Sequence, residues 1–421
     1  MMTKHFNTVV IGGGCLGCAC AFSISRQLGR QENKVAIIEK KVLGAGLSSR
    51  HSAIVRSANA SAIAARMAKT ATRQWKTLKT LWGVDIPFEQ PGAIWIAGNS
   101  QTNAANTWQL LEKTMQKENI ALQMISRNEV TDLCNGAIRV DPDEIYFYEP
   151  DVLQLDSSEI LNAMQNAAKV NQVELMEHCQ VYDFERDNHG NIISLYTNQG
   201  KIGCENIVNA IGGWSSDLFA SIDVHIPVAL EPVYAANFLV SSQDVSESLP
   251  IIADFVNRAY FRRWRGSILH MHQPRARSGS AIARSFSRAM MNPEGANVIY
   301  NASSFSVNHQ QLNHYLQKVE NRFPKVGKAV YAGGYQSFFD ITPDLKFILG
   351  KDTKAPNLFH CLGAGQALKY APVFGEIIAD LVTKGCIEDS QIDISEFSIA
   401  RFNDKAISEY WKTEIDNNYS L

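Results

Sequence analysis

The first forty residues constrain this chain more than any other stretch. Thr8 to Ile11 (TVVI) is a β-branched apolar run that stops on Gly12, Gly14 and Gly17 in G-x-G-x-x-G spacing. Cys18 to Leu28 then carries the apolar pattern of a helix, and Val35 to Ile38 reads as a second buried strand ending in Glu39. Gly12 permits a tight turn, Gly14 lets a pyrophosphate approach the backbone, and Gly17 lets the helix lie close on the strand. The helix N-terminus offers unpaired N–H groups and the favourable end of a dipole. Glu39 at the strand tip can accept both hydroxyls of a ribose, and Lys40 beside it joins the candidate contacts. The glycine spacing alone is weak evidence. Strand, helix, strand and acid in order over about 30 residues form one complete unit, so the chain opens on a Rossmann-type α/β nucleotide site.

A chain of 421 residues is long for one core, and two domains are expected. Hydrophobic residues make up 45%, charged residues 19%, and the formal net charge is -2, which gives no push toward nucleic acid or an anionic membrane. No stretch approaches the roughly 18 continuous apolar residues of a membrane helix. The first apolar run is a short strand ending in glycines rather than a secretory leader, so a cytoplasmic protein is expected. Cys15 and Cys18 form a C-x-x-C that could be a redox pair or half a zinc site. No second C-x-x-C or histidine pair completes four ligands, so the cysteines read as small buriable residues and no metal is expected.

Glu39 argues for FAD or NAD over NADP, and the rest of the chain chooses between them. "IVNAIGGWS" (Ile207 to Ser215) is an apolar strand running into a glycine turn that contains Gly212 and Trp214. "FHCLGAGQALKYAPVFGEIIADLV" is a strand, a glycine-rich loop and a helix, with Gly363, Gly365, Gln366, Ala367, Leu368 and Lys369 as candidate cofactor contacts. A cofactor touched by the first, middle and last parts of a chain is long and extended, which fits a buried FAD better than an exchangeable nicotinamide.

Together with "SSRHSAIVRS", "AYFRRWRGSILH", "FFDITPDLKFILG" and "ISEFSIARF", these segments resemble the D-amino-acid-oxidase-like flavoenzymes, and among them the sarcosine oxidase group. The resemblance runs from Val9 to about Arg401. It implies a glutathione-reductase-like FAD domain built from residues 1–86, 148–220 and 332–421. An α+β substrate domain on a mainly antiparallel sheet would come from 87–147 and 221–331. Alternating stretches such as "AIWIA", "AANFLV" and "SILHMH" suit such a sheet.

In that family the loop holding "GLSSRHSAIVRS" lies against the flavin ring. Gly44, Gly46, Ser48 and Ser49 are small enough for backbone to approach it. Arg50 is expected to bind phosphate or a neighbouring backbone carbonyl. Arg56 stands where the family's substrate-carboxylate arginine stands, and Lys369 where its second carboxylate ligand does. His51 matches a position that forms a histidyl-FAD bond in dimethylglycine dehydrogenases; the linkage is permitted, and noncovalent FAD is expected. Ser337 replaces the flavin-linking cysteine of monomeric sarcosine oxidase. Leu155 before Asp156 replaces the histidine that holds a second flavin in the heterotetrameric enzyme. His270 aligns with a lysine that speeds reaction with O2, with His272 as its alternative. A neutral histidine stabilises developing superoxide less well, which implies a dehydrogenase or a slow oxidase.

The resemblance thus implies an FAD-dependent amine or amino-acid oxidase or dehydrogenase acting through Arg56, Lys369 and His270 on a small substrate, with O2 or another electron carrier as acceptor. The alternative is a flavin-binding accessory or maturation subunit active only with a partner. The arginine cluster Arg262, Arg263, Arg265, Arg275, Arg277, Arg284 and Arg288 reads as a solvated or partner-facing surface, with Arg263 or Arg265 as outside candidates for substrate contact.

Overall fold

The computed structural model describes residues 4–32, 34–59, 61–98, 104–272, 309–327, 329–363 and 365–402. Its first sheet has five parallel strands in the order Leu358–Leu362, Gly200–Asn209, Lys4–Ile11, Val35–Ile38 and Glu174–Met176. Ile348–Lys351 adds antiparallel at one edge, and Ile192–Thr197 with Val181–Arg186 forms an antiparallel extension from Gly200–Asn209. Ile11 pairs with both Ile38 and Asn209, so three carboxyl ends coincide. In an open parallel sheet the crevice beyond such ends is where a ligand binds.

Helices Cys15–Glu32 and Ala367–Thr383 cover one face of this sheet and cross closely at Gly375, where an added Cβ would lie 2.6 Å from the Ala19 carbonyl oxygen. Cys15, Cys18 and Cys20 are buried, unbridged helix residues in the core on that face, which explains them as small packing groups.

The second sheet also has eight strands, in the order Val330–Ile341, Ala229–Leu239, Ile268–His272, Ala259–Trp264, Ile251–Asp254, Ala93–Gly98, Glu144–Glu149 and Gln123–Ile125. Every pairing is antiparallel except Ile251–Asp254 with Ala93–Gly98, so the expected mainly antiparallel α+β unit is present. Its edge strand Val330–Ile341 runs on into the segment assigned from sequence to the first unit. One face packs Phe261 and Met271 with Tyr315, Val319 and Phe323 around helix His309–Arg322. Strand alternation and register put Tyr260, Arg262, His270 and His272 together on the opposite face.

A two-stranded ribbon, Ile54–Val55 against Leu153–Gln154, anchors the loop that carries Arg50, His51 and Arg56. Among the described residues no helix is long and apolar enough to cross a membrane.

Candidate active site

A cavity of about 950 Å³ runs from the glycine turn of the first strand to the second sheet. That is near the top of the range of roughly 300–1,000 Å³ for ligand pockets, large enough for an extended dinucleotide.

At the nucleotide end Gly12 has φ +106, and an added Cβ would lie 2.6 Å from the Ala210 carbonyl oxygen. At Gly17 the added atom would lie 1.9 Å from the Gly12 carbonyl oxygen, so only glycine lets helix and turn meet. Gly14 faces Ser48, whose Oγ accepts from the Cys15 amide at 2.8 Å. Glu39 lies at the tip of its strand with Oε2 accepting from the Gly13 amide and Oε1 from the Lys41 amide, both at 2.9 Å. Lys40 lies 4.9 Å from the Trp214 ring, and burial pushes its ammonium down. Glu39, Lys40, Gly212 and Trp214 all line the cavity. The cradle that a side chain would fill, with an acid fixed at the second strand, fits an adenine dinucleotide.

In the middle, Arg50, expected on phosphate or a backbone carbonyl, donates from Nη1 to the carbonyls of Ala45 at 3.2 Å and Gly46 at 3.4 Å. His51 accepts the Ala53 amide on Nδ1 at 3.0 Å, and its buried Nε2 has no protein partner. Gln366 Oε1 and Arg262 Nε are likewise buried without partners. Such groups are costly unless a ligand engages them, and His51 and Gln366, which line the cavity, fit the polar edge of a flavin ring.

The last glycine loop is tied down by Asp340, which accepts from the Gly363 amide at 3.1 Å and the Gly365 amide at 3.0 Å. Gly365, Gln366, Ala367, Leu368 and Lys369 line the cavity. Gly17, Ser49 and Gly363 do not line it; Ser49 Oγ donates to the Gly46 carbonyl at 3.2 Å, closing its own turn.

At the far end Arg56 and Lys369 both line the cavity, with Arg56 near enough to act on the Lys369 amine. Lys369 Nζ is buried without a protein partner, 4.8 Å from the Tyr370 ring. Burial and then Arg56 hold its ammonium well below the ordinary lysine range, against the pull of Glu149. Arg56 donates from Nη1 to the Ala58 carbonyl, and its guanidinium lies 4.8 Å from the Trp95 ring centre. Glu149, which the sequence reading missed, is fully buried behind this loop. Its Oε1 accepts from the Ser57 and Ala58 amides at 2.6 and 2.9 Å, and Oε2 from Trp95 Nε1 at 3.2 Å. Burial pushes the carboxyl up, while Arg56 and the two amides act the other way. One guanidinium and a buried amine beside a fully bonded carboxylate leave a place that an anion completes, and a bound anion would draw the Lys369 amine back toward its charged form.

His270 lies beside this site without lining the cavity; its place on the wall is taken by His272. His270 Nδ1 is 2.8 Å from Asn237 Oδ1, and its ring stacks on Tyr335. Burial and then Arg262 push His272 and His51 down to about 4, and the same two causes hold His270 well below its ordinary value. The histidines are therefore neutral near pH 7.

A histidine whose folded pKa lies below its unfolded value of about 6.5 leaves stability intact above that pH and removes it as pH falls toward 4, because the unfolded chain takes the proton first. By about pH 5 His272 alone is expected to lower the stability of the FAD-free protein by roughly 2 kcal/mol, with His51 acting in the same direction. Urea titrations at about pH 7.5 and 5 check this, with His272→Gln expected to shrink the difference.

Two sequence expectations require correction. Arg262 and Arg263 are buried at 3% and 5% exposure, so they form no solvated or docking surface. Arg262 donates to the Leu155 carbonyl at 3.0 Å and faces the three histidines, because strand alternation turns it toward the cavity side. Arg265 is exposed and paired with Asp156 at 2.9 Å, and neither Arg263 nor Arg265 lines the cavity. Asp156 also caps helix Ser157–Val170 through the Ser158 amide. Arg275, Arg277, Arg284 and Arg288 lie outside the described residues.

The profile of the family described as FAD dependent oxidoreductase, DAO, matches residues 7–381. The chain is 22% identical over 437 positions to 4-methylaminobutanoate oxidase (formaldehyde-forming) of Paenarthrobacter nicotinovorans, covering 100% of this chain and 49% of that protein. It is 24% identical over 411 positions to monomeric sarcosine oxidase of Bacillus sp. (strain NS-129), covering 95% of this chain and 98% of that one. It thus spans about half of the first relative and nearly all of the second. The solved structure of L-proline dehydrogenase from P.horikoshii matches with a TM-score of 0.79 at 18% identity, covering 95% of this chain and 98% of that one, and shows the same fold. With the nucleotide cradle, the closing glycine loop and a profile match across most of its length, this chain belongs to the DAO family of FAD dependent oxidoreductases.

Proposed function

We propose that the chain oxidises the C–N bond of an amine or amino acid that carries a carboxylate, with N-methylated amino acids foremost. The observation that carries this reading is the pair Arg56 and Lys369, two basic side chains from opposite ends of the sequence that line one cavity with the Glu149 carboxyl beside them. FAD, when bound, supplies the acceptor for a hydride. Arg56 offers a planar fork and Lys369 a point charge to the substrate carboxylate. Glu149 holds the Ser57 and Ala58 amides, which keeps the arginine loop in one position and the substrate in one orientation. His272, neutral on the wall, is the group placed to take a proton from the substrate ammonium. His270 donates its Nδ1 proton to Asn237, leaving Nε2 as an acceptor. The product imine is hydrolysed in water. Neutral histidines in place of a lysine support a dehydrogenase or a slow oxidase.

The test is anaerobic bleaching of the visible flavin band by sarcosine, dimethylglycine, proline, glycine, opines, and D- and L-amino acids. One carboxylate-bearing amine is expected to bleach it, and admitted air then shows whether O2 is the acceptor. Acid precipitation is expected to leave the colour in solution, as noncovalent FAD requires. A flavin that dithionite bleaches and no amine does would remove the reading.

A second reading is a flavin subunit that acts with a partner. It is favoured by 22% identity over 230 residues to sarcosine oxidase subunit beta of Rhizobium meliloti (strain 1021), a protein named as one subunit of an enzyme. Copurification of a second polypeptide that restores bleaching would support it.

A further inference from the structure

Beyond Arg56 the cavity does not end in polar surface. It opens among Trp95, Trp108, Leu111, Phe255 and Tyr260, contributed by strand Ala93–Gly98, helix Ala104–Lys117, the turn after Ile251–Asp254 and strand Ala259–Trp264. Trp95 and Phe255 stack with ring centres 5.8 Å apart and planes 9° from parallel. Trp108 meets both edge-on, at 5.9 Å from Trp95 and 5.4 Å from Phe255, and Tyr260 meets Phe255 at 6.0 Å. Because the Arg56 guanidinium lies 4.8 Å from the Trp95 ring, a carboxylate held by Arg56 is one ring's width from this box.

The charges nearby define what the box takes. Arg56 and Arg258 are cations that line the cavity, with the Lys369 amine beside Arg56. Its described carboxylates are engaged elsewhere: Glu39 by the Gly13 and Lys41 amides, Asp340 by the Gly363 and Gly365 amides, Asp344 by Arg401, and Asp217 electrostatically by Lys40. A cationic side chain would therefore meet cations with no available carboxylate among the described residues, whereas a neutral ring or branched chain would meet aromatic faces and edges.

We propose that this box is the substrate side-chain subsite, and that the substrate carries an aromatic or large apolar neutral group next to its carboxylate and amine. The inference rests on the carboxylate clamp of the proposed function and adds the substrate class. Burying a ring-sized apolar group there is expected to favour such a ligand about tenfold or more over one without it.

The test titrates the FAD-loaded protein with acetate, phenylacetate and trimethylammonioacetate, reading dissociation constants from perturbation of the visible flavin spectrum. Phenylacetate is expected to bind at least about tenfold tighter than acetate, and trimethylammonioacetate no tighter than acetate. Phe255→Ala, at a half-buried position, is expected to lower the phenylacetate-to-acetate preference about fivefold or more, as is Trp108→Leu. Equal binding of acetate and phenylacetate, or tighter binding of the quaternary ammonium acid than of phenylacetate, overturns the subsite and leaves the clamp standing. If none of the three carboxylates perturbs the spectrum, the clamp itself fails and the subsite with it. The wild-type preference decides the matter even where a variant does not fold.

Discussion

Replacing Gly17 by alanine is expected to leave the chain unable to retain FAD. The added Cβ would lie 1.9 Å from the Gly12 carbonyl oxygen and 3.1 Å from its carbon, and both are backbone atoms with no rotamer to escape into. Relief requires helix Cys15–Glu32 to move off the turn, yet that turn is already held by Gly12 at φ +106 against Ala210. Forced overpacking of this kind costs about 3 kcal/mol or more, and the movement displaces the helix N-terminus that would bind the pyrophosphate. The flavin-to-protein absorbance ratio of the purified variant checks the first effect and a thermal melt the second. Gly98→Ala is the control, since its nearest neighbour would be 4.0 Å away and its backbone is ordinary for any residue. Normal FAD content in the Gly17 variant would show that the helix is not held there.

Replacing Arg56 by alanine is expected to weaken a carboxylate ligand by about 3 kcal/mol, roughly a hundredfold, while FAD is retained. The variant loses the charged fork and leaves Lys369, whose ammonium is already pushed down by burial, as the remaining basic group beside Glu149. Arg56→Lys separates charge from shape: a lysine restores the charge but cannot offer two parallel N–H donors, so only part of the affinity is expected to return. Spectral titration with acetate checks both, and undiminished affinity in Arg56→Ala would take this residue out of the clamp.

That Arg56 and Lys369 line one cavity was legible only through the motifs around each residue, because nothing local in "AIVRS" or "ALKYAP" says so. Glu149 carried a faint signal, an acid closing the alternating aromatic strand "IYFYEP". Whether it faced solvent or core depended on the loop at Ser57, which is distant in sequence and supplies its donors. Asp340 was similarly silent until the loop at Gly363 folded back onto it. The arginines misled for a related reason. Alternation shows that Arg262 and Arg263 point to opposite faces of a strand, but not that both faces are covered.

What the sequence by itself determined is therefore the nucleotide unit. The turn at Gly12, the close approach at Gly17 and the acid at Glu39 are restrictions on consecutive backbone, and glycine spacing and strand–helix periodicity record them directly. The aromatic box around Trp95, the buried carboxylate of Glu149 and the cluster of neutral histidines opposite Arg262 were decided by the tertiary structure alone. Each joins segments far apart in the chain, and burial and electrostatic environment are properties of what packs together, for which neighbouring residues carry no periodic mark.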